Sequence, residues 1–335
     1  MSPHPALSRR GFLGLSAGVG AAALLAACGG DDATTAAPAA SGSAAPVAMT
    51  ISTCVYAKNH ASSSLFWQRF APPGVTVDVT PIASSAEVQA GLESGQFDAG
   101  LIGSYFIITS ATDSITSKLV GMVSRQGLGL IGRTGEVEDV ASLRGKKVAV
   151  PPPGTQVLIL NELLREAGLT LGKDVEAVPL GYADHPAALE GGDVQAYIGT
   201  EPLCTQSVTA GVGTRIPGVY DTPLGDLNTG LWVSSKALQD PERVRVITAM
   251  NKAAAEHLTP AGENDRAVWR DLLVTQFGYS EQVYEDVLGN VGAEWRFDDK
   301  RVAQFEGAGT VLKAAGTIAS EPDYERFYAR EYWEV

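Results

Sequence analysis

The stretch KKVAVPPPGTQ, residues 146–156, decides the fold class of the chain. Its apolar run, residues 148–150, ends at three prolines and a Gly-Thr pair, after which a helical pattern begins. This order predicts a β-strand, a tight loop and an α-helix. The first turn of a helix has N–H groups without intrahelical partners and partial positive charge, so the corner of Gly154, Thr155 and Gln156 can receive an oxygen-rich or anionic group. The alternative is an ordinary strand-to-helix turn in which Thr155 is only the N-cap.

The N-terminus has the pattern of an export signal. Residues 8–13, SRRGFL, have the twin-arginine form, and residues 11–27 are uncharged and rich in Gly and Ala. Residues 25–29, LAACG, resemble the bacterial lipobox, in which the cysteine, here Cys28, becomes the lipid-modified first residue of the mature protein. We therefore interpret residues 1–28 as a twin-arginine lipoprotein signal peptide. A transmembrane anchor is the alternative, but the apolar run is short for a bilayer span.

The residues after Cys28 are typical of a tether. Residues 31–46, DDATTAAPAASGSAAP, are a low-complexity stretch that cannot build an apolar core. We expect residues 29–46 to be flexible. The protein is therefore predicted to lie at the cell membrane, anchored by lipid on the extracytoplasmic face.

The composition limits the classes of function. The chain has 335 residues, with 25 Lys and Arg against 38 Asp and Glu. The first 28 residues hold two arginines and no acidic residue, so the mature protein has 23 basic and 38 acidic side chains, a net charge of −15. This acidity excludes nucleic acid as a partner. Residues 47–335 are enough for two lobes with sizeable cores.

Two cysteines, Cys54 and Cys204, remain once Cys28 is modified. A fold of this size needs no covalent staple, so we expect two buried free thiols. A disulfide between them is the alternative.

Strands and helices alternate through the first half of the folded part. Residues 49–55, 75–80 and 96–102 have strand patterns, and a helical pattern follows each. This predicts an α/β fold with a mostly parallel sheet, whose ligands lie at the carboxyl ends of the strands. The loop after the first strand holds three hydrogen-bonding side chains that suit ligand contact, unless the loop is only a solvated surface feature. They are Lys58, Asn59 and His60.

A ten-residue pattern occurs twice in the chain. Residues 92–101, LESGQFDAGL, align with residues 189–198, LEGGDVQAYI, at a constant offset of 97. Each copy combines a helix end, a Gly turn and a buried strand, and a small-residue corner follows each, at residues 103–105 and 199–202. We interpret this as two similar α/β lobes with a ligand cleft between them.

The chain resembles the solute-binding proteins of ABC importers for sulfonates, taurine, nitrate and thiamine-pyrimidine precursors. The resemblance covers roughly residues 47–260 and rests on residues 140–150 (VASLRGKKVAV), 154–155 (GT), 160–164 (LNELL), 167–169 (AGL) and 201–202 (EP). It implies a two-lobed periplasmic-binding-protein type II fold with crossing segments at residues 128–134 and 228–235. Lobe one would be residues 47–134 plus 228–335, and lobe two residues 135–227. Helical patterns at residues 241–258, 263–277 and 280–291 would form a C-terminal tail on lobe one.

The resemblance also implies the site residues. They lie in the loop after the first strand, the small-residue corner of lobe one, the Gly-Thr corner of lobe two and the Glu-Pro hinge: Lys58, Asn59, His60, Gly103, Ser104, Tyr105, Gly154, Thr155, Gln156 and Glu201. Two positions depart from the family pattern, since Gln195 stands where Asp is usual and Thr200 where Trp is frequent. Without that Trp the cleft lacks an aromatic wall, which weakens the case for a flat heterocycle.

The function implied is that of an extracytoplasmic solute-binding lipoprotein, a monomer that serves an ABC permease and its ATPase subunit. Lys58 and two helix N-termini favour a small organic or inorganic anion of the sulfonate, taurine or nitrate type, whereas Glu201 favours an amine. A zwitterion would use both. The pair at residues 59–60 resembles an Asn-His pair in binders of aminopyrimidine thiamine precursors, which are the alternative solutes. Glu201 is alternatively a hinge carboxylate that accepts backbone N–H groups.

No catalytic residue, cofactor or metal site is expected. A pyrimidine-synthase-like enzyme is a rival interpretation, but those relatives are cytosolic and use a Cys-rich motif, whereas this chain has an export signal and isolated cysteines. A sensor's ligand-binding domain is a further rival, although no transmembrane segment or signalling domain is expected after residue 335. Residues 184–186, Asp-His-Pro, are expected to start a helix rather than to bind metal or move protons.

Overall fold

A computed structural model describes residues 48–55, 66–110, 114–258 and 263–333. These residues form β-sheets with helices packed against them. The strands are β1 (Met49–Val55), β2 (Val75–Pro81), β3 (Ala99–Gly103), β4 (Lys118–Gln126), β5 (Leu128–Arg133), β6 (Lys147–Val150), β7 (Glu176–Pro179), β8 (Ala196–Thr200), β9 (Gly213–Ile216), β10 (Leu227–Val233) and β11 (Val291–Ala293). The proposed signal peptide with Cys28, the tether, and the loop with Lys58, Asn59 and His60 lie outside the described residues.

The helices connect and cover these strands. They are α1 (Trp67–Phe70), α2 (Ser85–Glu93), α3 (Ser104–Thr109), α4 (Thr155–Glu166), α5 (His185–Gly191), α6 (Leu203–Thr209), α7 (Pro241–His257), α8 (Glu263–Arg270), α9 (Glu281–Val287) and α10 (Asp299–Ala314). A π-helical segment, Asp271–Gln276, continues α8. Among the described ranges, no helix has the length and apolar character that crossing a membrane requires.

The first of the larger sheets is built around the stretch at residues 146–156. Its strand order is β7-β6-β8-β5-β9, in which β6 pairs in parallel with β7 and β8, and β5 is antiparallel to β8 and β9. The predicted strand, loop and helix are confirmed, since β6 ends at Val150 and α4 begins at Thr155. The apolar face of α4, with Ile159 and Leu163, packs into the core. The carboxyl ends of β6, β7 and β8 therefore lie at one edge, where ligands of parallel sheets bind.

The second of these sheets has the order β11-β4-β10-β3. The strand β10 is antiparallel to both neighbours, with Leu231 opposite Leu101, so this sheet is not mostly parallel as expected. The reason is that the chain enters β10 directly from β9 of the five-stranded sheet, without the crossover helix that a parallel strand needs. The parallel pair β1 and β2 lies beside β3, where Asp98 N–H donates to the Ser52 carbonyl at 2.8 Å.

The chain passes between the two sheets at Gln126–Gly127. Both residues have positive φ, 62° and 80°, a conformation that a glycine adopts without steric cost and that turns the chain from β4 into β5. Residues 128–134 were expected in lobe one as a crossing segment, but residues 128–133 form β5 and pair with β8 and β9. Residues 228–233 likewise belong to β10, and the return runs between β9 and β10. The division of the chain into two lobes otherwise stays a prediction.

The predicted repeat is confirmed by the backbone. The strands β3 and β8 begin and end at the same offset of 97 residues, and each is buried along its length. Gly95 and Gly192, also 97 residues apart, both have positive φ, 71° and 80°, at the ends of α2 and α5. The sequence similarity therefore reflects two copies of one helix–turn–strand unit.

The departure at Gln195 has a simple explanation within this repeat. In the first copy, Asp98 Oδ2 accepts a hydrogen bond from Ser52 N–H at 2.9 Å and so fixes the neighbouring strand β1. In the second copy, Gln195 Oε1 accepts one from Lys147 N–H at 3.1 Å and fixes β6 in the same way. An amide oxygen thus replaces a carboxylate without loss of the contact.

The C-terminal helices pack on the four-stranded sheet and on a helix that covers the five-stranded sheet. As predicted, α7 begins at Pro241, where the Asp240 side chain caps its N-terminus, and Asn251 Nδ2 donates to the Met122 carbonyl of β4 at 2.7 Å. The tail was expected to pack on lobe one, yet α9 also packs on α6, where Thr209 Oγ1 donates to Asp286 Oδ2 at 2.8 Å. The α10 helix was not predicted, because Gly307 and Gly309 interrupt its pattern with poor helix formers.

Both described cysteines are free and buried. Burial raises the pKa of the Cys54 thiol to about 12 and that of Cys204 well above its ordinary value, because the thiolate would be desolvated. The expectation of two buried free thiols is confirmed, and the disulfide alternative is wrong.

Candidate functional site

A cavity has walls from both larger sheets. Its lining residues follow strand ends or begin helices: Ala83, Ser84, Ser85, Gly103, Pro152, Pro153, Gly154, Gln156, Tyr182, Thr200, Asn228 and Thr229. The corners after β6, β7 and β8 all contribute, so the cavity lies at the carboxyl edge of the parallel strands, where the sequence placed the ligand.

The Gly-Thr corner forms one wall of the cavity. Gly154 is the N-cap residue of α4 and Thr155 its first helical residue, so Thr155 is not the N-cap. Thr155 is 1% exposed, and its hydroxyl has no hydrogen-bond partner among the described residues. A buried hydroxyl without a partner costs free energy in the folded protein. The predicted N-cap role of Thr155 is therefore wrong, and ligand binding at this corner stays a prediction.

The corner after β3 faces this wall. A methyl group added at Gly103 would lie 2.9 Å from Thr155 Oγ1, so the two corners approach as closely as a glycine permits. Gly103 N–H donates to Ser85 Oγ at 3.3 Å. Ser104, the first residue of α3, is 3% exposed, and its hydroxyl also lacks a partner among the described residues. Neither Thr155 nor Ser104 is itself in the cavity lining, but their neighbours Gly103, Gly154 and Gln156 are.

Polar residues from β10 complete the wall on the other side. Asn228 Nδ2 donates to the Gln126 carbonyl at 2.5 Å, which ties the wall to the turn between the two sheets. Thr229 Oγ1 shares a hydrogen bond with Ser124 Oγ. Ser84 caps α2 by accepting a hydrogen bond from the Glu87 N–H at 3.3 Å.

Two predicted site residues make hydrogen bonds with other parts of the protein and do not line the cavity. The Tyr105 side chain is fully buried, its hydroxyl donates to the Leu224 carbonyl, and it is not part of the cavity lining. Burial raises its pKa, so it stays a neutral phenol. Its role is to tie α3 to the segment that returns towards β10.

Glu201 also lies outside the cavity lining. Its side chain is 1% exposed; one carboxylate oxygen accepts from Thr205 N–H at 3.0 Å and the other from the Arg215 guanidinium. Burial raises the pKa of Glu201, while the charge of Arg215 opposes that rise. The Glu201 N–H donates to the Gly127 carbonyl at 2.9 Å, so this residue secures the turn between the sheets. This geometry favours the hinge interpretation over ligand contact.

The described lining carries no charged side chain. Lys58, Asn59 and His60 fall outside the described residues, so the electrostatics of the described wall come from hydroxyls, amides and the N-terminus of α4. Among the residues that the structure describes there is also no cluster of three or more His, Cys, Asp or Glu side chains that could hold a metal ion.

Several lining residues, above all Tyr182, were not predicted from the sequence. Tyr182 follows β7, and the predicted binding corners did not include the carboxyl end of this parallel strand. The rule that ligands gather at all carboxyl ends of a parallel sheet could have found it. Tyr182 supplies an aromatic side chain that the Thr200 position does not.

The residues 184–186 do begin a helix, as predicted. Asp184 is the N-cap residue of α5, although its side chain makes no capping hydrogen bond. His185 is fully buried and its Nε2 lies 3.2 Å from the Leu180 carbonyl. Burial lowers its pKa to about 4, so it is neutral near pH 7.

The sequence profile of the NMT1-like family matches residues 39–270, more than half of the chain. The chain belongs to the NMT1-like family. A comparison with curated proteins gives no match.

Solved structures resemble this NMT1-like protein over most of its length. The zinc-bound ligand-binding component of an ABC-type import system from Staphylococcus aureus has a TM-score of 0.71 at 16% identity, and the match covers 85% of this chain and 98% of that one. The aliphatic sulphonate-binding protein SsuA of Escherichia coli has a TM-score of 0.64 at 18% identity, with coverages of 85% and 93%. The nitrate-binding protein NrtA of Synechocystis PCC 6803 has a TM-score of 0.65 at 16% identity, with coverages of 86% and 88%.

These similarities confirm the predicted α/β periplasmic-binding-protein fold of this NMT1-like protein. One neighbour at 16% identity and a TM-score of 0.60 is an enzyme, the desulfurization enzyme DszB. Identities this low show the fold and not the ligand.

Proposed function

We propose that this NMT1-like protein is the extracytoplasmic solute-binding lipoprotein of an ABC importer and captures a small organic or inorganic anion through its oxygen atoms. The observation that carries the proposal is the buried Thr155 hydroxyl, which has no partner among the described residues and lies against Gly103 at the cavity wall. A ligand oxygen would supply the missing partner.

The electrostatics of the wall support an anion rather than an amine. The start of α4 presents backbone N–H groups and the positive end of the helix dipole to the Gly154–Gln156 corner. An ammonium group would find no carboxylate in the described lining, because Glu201 is engaged by Arg215 and Thr205. The aminopyrimidine alternative therefore loses the residue that favoured it. In a zwitterion of the taurine type, the sulfonate end would lie at this corner.

The described lining also supports binding rather than catalysis. It contains no Asp, Glu, His, Cys or Lys that could act as a general acid, a general base or a nucleophile. By kinship with importer components, the partners would be the permease and its ATPase subunit, and the anchor would be lipid on Cys28. The protein would work as a monomer, with two lobes closing on the solute about the turns between the sheets.

The test begins with a thermal-shift screen of the full chain, purified from membranes in detergent. Taurine, methanesulfonate, benzenesulfonate, nitrate, bicarbonate and an aminopyrimidine are the probes. A probe at a hundred times its dissociation constant should add about 2.7 kcal/mol to the free energy of unfolding. Stabilisation by the aminopyrimidine alone, or by no probe, would contradict the proposal.

The Thr155→Val variant tests the proposed contact. Valine keeps the shape of threonine without its hydroxyl, and that hydroxyl makes no hydrogen bond with a described residue, so the unfolding midpoint should not fall. The bound oxyanion would lose a partner in a closed cavity, which should cost about 1–3 kcal/mol, or one to two orders of magnitude in affinity. Calorimetric titration of both proteins measures this difference.

Thr53→Val is the matched control. Thr53 is equally buried in β1, and its hydroxyl also lacks a partner among the described residues. Both chain neighbours of Thr155, Gly154 and Gln156, are in the cavity lining, whereas no described residue of β1 is. We expect its affinity to equal that of the unaltered protein. Equal affinities for Thr155→Val and Thr53→Val would contradict the role of Thr155.

A further inference from the structure

Three aromatic rings, tilted relative to one another, form a row that begins at the cavity wall on the side of the five-stranded sheet; this row is called the aromatic stack. The rings of Tyr182 and His185 are 5.8 Å apart, and those of His185 and Tyr197 are 5.1 Å apart. His185 and Tyr197 are both fully buried. The Tyr197 hydroxyl donates to the Leu203 carbonyl at 3.0 Å and lies 2.8 Å from Ser207 Oγ, whose hydroxyl can donate to it. These two contacts anchor Tyr197 to α6.

The other end of this stack reaches the cavity. Tyr182 is half-buried and lines the cavity, and it is the aromatic residue among the described lining positions. The Tyr182 ring therefore contacts the His185 ring and also borders the cavity.

The burial of His185 keeps its ring uncharged near neutral pH. Burial lowers the pKa of His185, and the imidazole is an uncharged ring between two phenols. Its Nε2 contacts the Leu180 carbonyl at 3.2 Å, which fixes the ring plane. His185 is thus a positioning residue for Tyr182.

We propose that Tyr182 is a specificity-determining residue, whose ring selects an organic oxyanion with a carbon body over a bare inorganic oxyanion. This inference rests on the proposed function, in which the oxygen-bearing end of the solute lies at the Thr155 corner. An apolar or flat carbon body gains burial and ring contact against Tyr182. A nitrate ion has no carbon body, so it buries no apolar surface against the Tyr182 ring and gains little affinity from it.

The experiment compares benzenesulfonate with nitrate by calorimetric titration of the full chain. The unaltered protein should bind benzenesulfonate at least about tenfold more tightly than nitrate. Tyr182→Phe keeps the ring and should keep that affinity ratio within about threefold. Tyr182→Ala removes the ring and should lower the ratio by about tenfold or more, chiefly through weaker binding of benzenesulfonate.

The ratio of the benzenesulfonate and nitrate affinities shows whether the Tyr182 ring selects the ligand or only stabilises the cavity wall. If the ring only stabilised the wall, Tyr182→Ala would weaken both anions alike and leave the ratio unchanged, which would overturn the inference. Tyr182→Leu provides a second variant with apolar bulk and no aromatic face, and it should also lower the ratio. Circular dichroism of each variant checks its fold before titration.

Failure of this inference differs from failure of the proposed function. Tighter binding of nitrate than of benzenesulfonate by the unaltered protein would overturn the role of Tyr182 and leave an anion-binding protein. No binding of either anion, together with no stabilisation by the wider panel, would overturn the proposed function and this inference with it.

Discussion

At the scale of single residues, His185 couples the stability of the fold to pH. Desolvation of the buried imidazolium is the largest cause of its lowered pKa of about 4; the Leu180 carbonyl and the charge of Asp184 act in the opposite direction. In the unfolded chain a histidine has a pKa of about 6.5. Between these two values the unfolded state binds more protons, so the free energy of unfolding falls as pH drops from about 6.5 to about 4.

The prediction uses His185→Phe, which keeps a ring between Tyr182 and Tyr197 and cannot titrate. The variant loses the contact with Leu180 at every pH, a constant penalty. Between pH 7.5 and pH 5 the unaltered protein should lose about 2 kcal/mol more stability than the variant. Urea unfolding at several pH values measures both curves. A difference between them that does not change with pH would show that His185 does not titrate in this range.

At the scale of elements, the close contact between the starts of α3 and α4 depends on Gly103. The backbone of Gly103, with φ −53° and ψ 125°, suits any residue, so an alanine there causes no backbone strain. Its methyl group would instead lie 2.9 Å from Thr155 Oγ1 and 3.5 Å from Ser85 Oγ. The free-energy cost of the substitution therefore comes from the steric clash between the two corners.

We expect Gly103→Ala to bind the solute more weakly, because the corners must separate to accept the methyl group. Overpacking of this kind costs about 1–3 kcal/mol, or about one to two orders of magnitude in affinity. Calorimetry measures the affinity, and small-angle scattering measures whether the variant still compacts with ligand. Gly307→Ala in α10 is the control, since its methyl group would meet nothing within 4 Å and should raise stability by about 0.5–1 kcal/mol without a change in affinity. Full affinity in Gly103→Ala would refute the close contact.

At the scale of the whole molecule, the acidic folded part is proposed to be held at the membrane by one lipid-modified cysteine and a tether. Cell fractionation of a Cys28→Ala strain tests this, and the variant should leave the membrane fraction. Cys54→Ala is the matched control, because Cys54 is a buried free thiol of β1 and should not affect location. Mature Cys28→Ala protein that stays in the membrane fraction would refute the lipid anchor.

Local patterns in the sequence determined much of the architecture. The strand, loop and helix at residues 146–156, the start of α7 at Pro241 and the repeat at an offset of 97 could all be predicted. Each depends on interactions within a few residues, such as side-chain alternation, proline at a helix start or a glycine turn. The position of the cavity followed from the same patterns, since the ends of parallel strands meet at one edge.

The tertiary structure alone decided which polar residues have partners. Glu201 and Tyr105 have sequence contexts that suit ligand contact. In the folded protein, however, Glu201 accepts a hydrogen bond from Arg215, and the Tyr105 hydroxyl donates to the Leu224 carbonyl. Thr155 resembles a helix cap in sequence, yet its hydroxyl is buried against Gly103 without a described partner. Hydrogen bonding and burial depend on groups that only the folded chain brings together, and a single sequence carries no direct record of those distances.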